Sequence, residues 1–207
     1  MSVESLADLA GQVKGFLEPK EGLRLYELAC EASLSGPCLE IGSYCGKSAI
    51  YLGKACQKNE MTLFSIDHHR GSEEQQPGEL YFDAELFDPF FYRIDTFKHF
   101  RQTLLKAGLE NTVVPLVASS EIAARHWSTP LSLVFIDGGH AIETVLNDYV
   151  CWQRHVLPHG YLLFHDIYPD PADGGQAPYE VYQKALSSGR FRPLPMTGSL
   201  GILQRVS

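Results

Sequence analysis

The chain has 207 residues, enough for one α/β domain with a complete hydrophobic core. Its formal net charge of −8 argues against a nucleic-acid backbone as partner, because nucleic-acid binders usually carry a basic face. No apolar run is long enough to span a bilayer, so no membrane partner is predicted.

The N-terminus and the cysteines bear on the cellular compartment. The first 17 residues are amphipathic and acidic-leaning, without the basic start and apolar core of a secretory signal. The five cysteines are odd in number and include no Cys-x-x-Cys pair, which argues against a disulfide framework or a cysteine zinc site. These features predict a reduced, cytoplasmic protein.

Two helices are predicted first, over residues 3–16 and 22–33. From residue 38 onward, short apolar strands alternate with helical stretches. The predicted strands cover residues 38–41, 61–67, 113–118, 131–137, 161–166, 191–196 and 200–206. The predicted helices cover residues 47–56, 95–107, 120–126, 143–156 and 179–187.

This alternation is typical of an α/β fold with a mostly parallel sheet and helices on both faces, and the last two strands add an antiparallel C-terminal hairpin. Residues 1–207 are predicted to form one domain, with N-terminal helices over residues 1–35. Residues 68–94 and 168–178 are long loops, and the aromatic content of the first predicts an ordered lid. Its aromatics either line a substrate pocket or hold the loop down: Tyr81, Phe82, Phe87, Phe90, Phe91 and Tyr92.

The stretch CLEIGSYCGKSA runs a strand into a glycine turn and a helix start. It is one residue too short for a phosphate-binding loop, and Tyr44 occupies a glycine position of the dinucleotide fingerprint. Glu40 would repel a polyphosphate but suits a ligand with a positive charge or hydroxyls. S-adenosylmethionine carries both, and its carboxylate suits a helix N-terminus. The alternative is that Gly42 and Gly46 only form a tight turn.

Most predicted strands end in an acid, a hydroxyl or a histidine, at the rim where open α/β sheets bind ligands. These residues are Glu40, Asp67, Ser119, Asp137, His165 and Asp166. Each has a structural alternative. The first two acids could be helix caps or solvated charges, and the segment 137–140 could be a turn that caps the next helix. The pair 165–166 could be structural, with the carboxylate fixing the imidazole tautomer.

The motif CLEIGSYCGKSA resembles the first motif of class I S-adenosylmethionine-dependent methyltransferases, most closely the catechol O-methyltransferase branch. That branch also has Glu-x-Gly, then an aromatic residue with Cys-Gly, then a serine in the helix. The resemblance covers about residues 36–167, and the closing hairpin fits the seven-stranded, Rossmann-like sheet of the class. SIDHHRGSEEQQPG and FHDIYPDPADGGQAPY resemble segments of uncharacterised bacterial methyltransferases.

The resemblance implies a binding site for S-adenosylmethionine. Gly42 would lie against the methionine part with Glu40 beside it, and Ser48 would cap or contact the carboxylate. Asp67 would hold the ribose hydroxyls, and Ser119 and Ser120 would lie near the adenine. Of the adjacent His68 and His69, at most one can face the pocket from an extended chain. The implied cofactor-binding set is Glu40, Gly42, Ser43, Gly46, Ser48, Asp67, His68, Ser119, Ser120 and Asp137.

The resemblance also implies a metal site and a base. Asp137 matches the first metal-ligand position, and His140 stands where the catechol-type enzymes have their catalytic lysine. His165 and Asp166 replace the remaining Asp-Asn ligands, so Asp137, His165 and Asp166 form the implied metal set, and His140 could be a fourth ligand instead of a base. Nitrogen in the set favours iron, manganese or zinc over magnesium. His140 and Asp137 are the implied catalytic residues, and an ordinary histidine pKa of about 6.5 would suit a base.

The implied function is O-methylation of a small hydroxylated molecule with help from a divalent metal, and the sequence does not identify the acceptor. One alternative is a metal-free O- or N-methyltransferase with His140 as base. Others are a nicotinamide oxidoreductase, against which Tyr44 argues, and a non-catalytic relative that only binds the cofactor. The N-terminal helices could form a lid or a dimer contact, so a homo-oligomer stays open.

Overall fold

The computed structural model describes residues 3–206; residues 1, 2 and 207, which the predicted ranges 1–35 and 1–207 include, lie outside it. The chain opens with α1 (Val3–Gly11) and α2 (Pro19–Ala32). The first helix is shorter than predicted, since the chain turns after Gly11 and residues 14–17 run along the cleft described below.

Seven strands form the main sheet. They are β1 (Cys38–Ile41), β2 (Leu63–Ile66), β5 (Val113–Leu116), β6 (Leu131–Ile136), β7 (Val156–Phe164), β8 (Phe191–Thr197) and β9 (Leu200–Arg205). The order is β5-β2-β1-β6-β7-β9-β8, with parallel pairing through β7 and antiparallel pairing of β9 to both neighbours. This is the predicted Rossmann-like sheet with its antiparallel hairpin.

Helices cover both faces of this sheet. They are α3 (Lys47–Lys58), α4 (Phe97–Ala107), α5 (Ser120–Ala124), α6 (Ile142–Trp152) and α7 (Ala177–Ser187). Helices α1 to α4 pack on one face of the sheet, and helices α5 to α7 pack on the other. Neighbouring strand residues such as Leu133 and Val134 are both fully buried, on opposite faces. Burial on both sides explains why the strands are continuous apolar runs.

The helix predicted over 143–156 ends earlier, and the next strand begins earlier than expected. After α6, residues 153–155 form a 3₁₀ turn, and β7 starts at Val156. The pairing of β6 and β7 shifts register between Leu131 and Leu133. His159, with φ of 65°, and Gly160 accommodate this irregularity. In the sequence, Pro158 and Gly160 look like a break between helix and strand, which explains why the strand was predicted to start later.

Residues 68–94 form an ordered loop with two 3₁₀ turns and a short ribbon of β3 (Phe87–Asp88) and β4 (Arg93–Ile94). Leu86 and Ile94 are buried against Cys45, and this cluster holds the loop to the domain. Of the loop's aromatics, Phe82 and Phe87 pack on this cluster and Tyr81 lines the cleft, whereas Phe90, Phe91 and Tyr92 are largely exposed and do neither. No helix within residues 3–206 is long and apolar enough to cross a membrane.

Candidate active site

A cleft of about 460 Å³ opens at the carboxyl ends of the central strands. Gly42, Asp67, Asp137 and His165 follow β1, β2, β6 and β7, and all four line it. The loops 68–94 and 168–178 contribute further walls. The strand-end residues therefore meet at one site, because parallel strands bring their carboxyl ends to the same edge.

The turn after β1 forms the floor of the cleft. Gly42 has φ of 86°, and a methyl group there would overlap the backbone carbonyl of Asp137, so only glycine fits between the two strand ends. The Ser43 hydroxyl is buried and has no hydrogen-bond partner within residues 3–206. A narrow glycine turn beside an unsatisfied hydroxyl fits a ligand that approaches the backbone closely and brings a polar group.

Glu40 lies beneath this floor and has no exposed surface. Its two carboxylate oxygens accept hydrogen bonds from the hydroxyls of Ser48 and Ser65, each at 2.7 Å. Burial raises the pKa of Glu40 to about 7, and the charges of Asp137 and Asp67 add to the rise against the two serine hydrogen bonds. Ser48 lines the cleft, but its hydroxyl hydrogen is directed at Glu40.

Asp67 presents its carboxylate to the cleft with its position fixed by backbone donors. The amide of Tyr44 donates to Oδ2 at 2.8 Å and that of His69 to Oδ1 at 2.7 Å. His68 lines the cleft, whereas the His69 ring is buried with Nδ1 2.8 Å from the Thr96 hydroxyl. Of the two histidines, only His68 therefore lines the cleft, and its assignment to the cofactor stays a prediction.

Besides the buried Glu40, three more residues of the implied cofactor set lie outside the cleft lining. Gly46 is the N-cap of α3, with φ of 93°, and Ser119 is the N-cap of α5. Ser120 is buried and accepts a hydrogen bond from the Trp152 indole at 3.0 Å. Their assignment to the cofactor stays a prediction.

Four side chains at the ends of β6 and β7 form a connected polar cluster. His165 is buried, and its Nδ1 lies 3.2 Å from Asp137 Oδ1 and 3.3 Å from Asp166 Oδ2. His140 Nε2 lies 2.9 Å from the same Asp166 oxygen. Asp166 adopts φ of 57°, a left-handed conformation that turns up at strained functional positions. The segment 137–140 is thus more than a helix-capping turn, because His140 reaches across to the next strand end.

The carboxylates around these histidines shift their pKa values. The Asp166 hydrogen bond is the main cause that raises the pKa of His140 to about 9; burial opposes the rise, and Glu74 adds to it. Burial would lower the pKa of His165, but Asp137, Asp166 and Glu21 together raise it well above the ordinary range. The ordinary histidine pKa expected for His140 is therefore not found, and in this arrangement the ring is protonated at pH 7.

Sequence reasoning missed three residues at the site. Glu21 on α2 accepts from His165 Nε2 at 3.1 Å, and Glu74 in the long loop lies 3.1 Å from His140 Nδ1. Lys47, in the first turn of α3, lines the cleft and donates to the Gly15 carbonyl at 2.7 Å. Only Lys47 had a signal in the sequence, because it belongs to the Gly-Lys-Ser string of a loop that is one residue too short to bind phosphate.

The sequence from 39 to 167 matches the family described as Methyltransferase domain. The chain belongs to this methyltransferase family. The matched segment includes the carboxyl ends of β1, β2, β6 and β7, all of which contribute to the cleft. The predicted resemblance to methyltransferases is thereby confirmed.

Solved methyltransferase structures share the fold over nearly the whole chain. O-methyltransferase TomG from Streptomyces achromogenes, in complex with SAM, is 14% identical, with a TM-score of 0.65 over 99% of this chain and 89% of that one. SAH-bound PaMTH1 from Podospora anserina is 12% identical, with a TM-score of 0.68 over 99% and 87%. The O-methyltransferase from Bacillus cereus, in complex with SAH, is 14% identical, with a TM-score of 0.66 over 99% and 90%.

Three residues of this methyltransferase domain have the donor atoms and spacing for a cation. Asp137, His165 and Asp166 each offer one ligand atom, and these atoms lie within 4.8 Å of one another. The two carboxylate side chains keep 24% and 23% of their surface exposed, so the group is open to the cleft. Two oxygens and one imidazole nitrogen suit manganese, iron or zinc, and the group fits the implied metal site.

Proposed function

We propose that the protein transfers the methyl group of S-adenosylmethionine to a hydroxyl of a small molecule, with assistance from a divalent cation. The observation that carries the proposal is one cleft that joins the Gly42 turn and Asp67 to the polar cluster of Asp137, His140, His165 and Asp166. The first half of the cleft, at the Gly42 turn and Asp67, suits a sulfonium nucleoside. The second half, at the polar cluster, suits a hydroxyl that must lose its proton.

The residues of the first half have assignable roles toward S-adenosylmethionine. The fixed Asp67 carboxylate is placed to accept from the ribose hydroxyls, and the Ser43 hydroxyl is free to bond the methionine part. Lys47 and the backbone N–H groups at the start of α3 favour the ligand's carboxylate, since helix N-termini and ammonium groups attract anions. The carboxylates of Asp67 and Asp137 favour its positive sulfur.

Methyl transfer joins the acceptor oxygen to the methyl carbon while the carbon–sulfur bond breaks, S-adenosylhomocysteine leaves, and the acceptor proton passes to solvent water at the open cleft. Asp137, His165 and Asp166 would hold the cation, which would lower the pKa of an acceptor hydroxyl. His140 lies beside this group and exchanges hydrogen bonds with Asp166 and Glu74. Because Asp166 and Glu74 raise the pKa of His140 to about 9, the ring is a poorer proton acceptor near pH 7 than an ordinary histidine, which favours metal assistance over the metal-free alternative.

Calorimetric titration with S-adenosylmethionine and S-adenosylhomocysteine tests the first half. We expect binding of both and none of NAD or ATP. Asp67→Ala should weaken binding by about 10- to 100-fold, because a charged acceptor of the ribose hydroxyls is lost. Asp95→Ala is the matched control, since that aspartate also bonds a backbone amide, at Phe97, but does not line the cleft. Equal affinity of the Asp67 variant and the native protein would remove Asp67 from the cofactor site.

Chelation tests the second half. Exhaustive treatment with EDTA should abolish methyl transfer to phenolic and sugar hydroxyl acceptors, and added Mn²⁺ or Zn²⁺ should restore it. Asp137→Ala should lose metal binding while the fold is kept, because one of two anionic ligands is gone. Turnover that persists after chelation would support the metal-free O- or N-methyltransferase instead. Binding of S-adenosylmethionine with no turnover on any acceptor would support a non-catalytic relative.

A further inference from the structure

Glu21 is a buried carboxylate of the N-terminal region that reaches the far side of the candidate metal group. It is 2% exposed, in the first turn of α2. Its Oε2 lies 3.1 Å from His165 Nε2, although the two residues are 144 positions apart in the sequence. The other ring nitrogen of His165 faces Asp137 and Asp166. Glu21 therefore contacts one nitrogen of the imidazole, and the two aspartates contact the other.

The position of Glu21 is determined from several directions. Its Oε1 accepts from the amide and the hydroxyl of Ser199, at 2.7 and 3.0 Å, and its Oε2 also accepts from the Glu18 amide at 3.2 Å. Gly198 permits this approach, because a methyl group there would overlap Oε1. A carboxylate with this many donors is a rigid acceptor, so the imidazole that bonds to it has little rotational freedom.

We propose that Glu21 is a positioning residue that holds His165 with Nε2–H toward α2 and Nδ1 toward a divalent cation shared with Asp137 and Asp166. The inference rests on the proposed metal assistance. An imidazole ligand can bind a cation only through an unprotonated nitrogen, and a carboxylate that accepts from the other nitrogen fixes which one remains free. The N-terminal helix therefore completes the site from outside the segment that matches the family.

A purely structural role for Glu21 makes a different prediction. The Ser199 and Glu18 contacts tie the hairpin turn to α2, and their loss would lower stability without altering metal affinity in the folded protein. Glu31 supplies a matched control on the same helix. It accepts from the Tyr161 hydroxyl of β7 at 2.6 Å and does not line the cleft, so it joins the same helix and strand away from the metal group.

The test measures Mn²⁺ binding to chelator-treated, folded protein by electron paramagnetic resonance. Glu21→Gln should weaken Mn²⁺ binding by about 10- to 100-fold, the usual effect of removing such an outer partner. Glu31→Gln should bind Mn²⁺ like the native protein. Calorimetry on the same samples should give an unchanged affinity for S-adenosylmethionine, so loss of the cofactor site would be recognised separately.

A measurement on the native protein covers the case in which Glu21→Gln does not fold. Long-range ¹H–¹⁵N spectra of the Zn²⁺-loaded native protein should show His165 protonated at Nε2 and not at Nδ1. Metal-loaded His165 with its proton on Nδ1 would overturn the proposal. So would native protein that binds no Mn²⁺ at millimolar concentration, equal Mn²⁺ affinity of the Glu21→Gln variant and the native protein, or an equal loss in Glu31→Gln.

Discussion

At the scale of single residues, Glu40 shows how the fold keeps a carboxyl in a place that disfavours its charge. The side chain is completely buried, its oxygens accept from two serine hydroxyls, and the carboxylates of Asp137 and Asp67 lie near. Two neutral donors offset only part of the loss of hydration, so the protonated form is favoured. The folded pKa of about 7 exceeds the ordinary 4.5.

This shift makes stability depend on pH. A raised folded pKa means that the folded state holds the proton more tightly, so the contribution of Glu40 is fully present below about pH 4.5 and is lost as pH rises through about 7. Glu40→Gln should remove this loss and gain about 2–4 kcal/mol of unfolding free energy relative to the native protein between pH 5 and pH 8. Urea unfolding of the ligand-free proteins at both pH values measures it. A difference that does not change with pH would contradict the buried-charge explanation.

The sequence identified Glu40 as a strand-end acid but not its place under the floor of the cleft. A strand-end position fixes the rim to which a residue belongs. Whether its side chain faces the cleft or the protein interior depends on packing. Here the hydroxyls of Ser48 from α3 and Ser65 from β2 hold the Glu40 carboxylate in the interior. Asp67 and Asp137, at equivalent strand ends, do face the cleft.

At the scale of elements, the turn between β1 and α3 is where the sequence and the site coincide most closely. Gly42 separates two strand ends whose backbones nearly touch, and its positive φ suits a residue without a side chain. The helix that follows begins directly at the cleft, so its unpaired N–H groups face any ligand there.

Gly42→Ala tests this arrangement. The methyl group must overlap the Asp137 carbonyl in a strained backbone conformation, so we expect a loss of roughly 2–5 kcal/mol in unfolding free energy and of affinity for S-adenosylmethionine. Gly175→Ala is the control, because Gly175 also lines the cleft but has no atom within 4 Å of an added methyl. It should change stability by less than about 0.5 kcal/mol. Native-like stability of the Gly42 variant would show that the two strand ends can separate freely.

Element boundaries were less predictable than element types. Apolar runs and helical spacing located the strands and helices of the sheet, because each must bury an apolar face. The start of β7 was predicted at residue 161 although it begins at Val156, since Pro158 and Gly160 in the strand look like a break. Such an irregularity is tolerated by pairing with β6 and β9, which local sequence does not reveal.

At the scale of the whole molecule, segments distant in sequence close the cleft. Lys14 pairs with Asp83 and Glu85, and the rings of Phe16 and Tyr81 meet edge to face at 5.4 Å. The ion pairs are partly exposed and each contributes at most about 1 kcal/mol. The N-terminal segment and the long loop are therefore joined by these contacts and by Val13, which packs on the buried cluster of Leu86 and Ile94; the role of the loop as a lid stays a prediction.

The separation of these segments along the chain explains why some site residues could not be predicted from the sequence. Asp67, Asp137, His165 and Asp166 line one cleft because topology brings strand ends together whatever their separation along the chain, whereas Glu40 and Ser119 lie outside its lining. Glu21 and Glu74 come from a helix and a loop whose placement over the rim follows from tertiary packing, so no local pattern marks them. Their effects on His165 and His140 were accordingly absent from the predicted chemistry.

The position of β9 has a consequence for synthesis on the ribosome. It is the last strand along the described chain, yet it lies inside the sheet between β7 and β8, with Leu200, Ile202 and Leu203 fully buried. While the chain is being made, β7 leaves the exit tunnel long before its partner, and its edge stays open to other nascent chains. A polypeptide released just before residue 200 would contain every strand-end residue of the cleft and still lack the strand that joins β7 to β8.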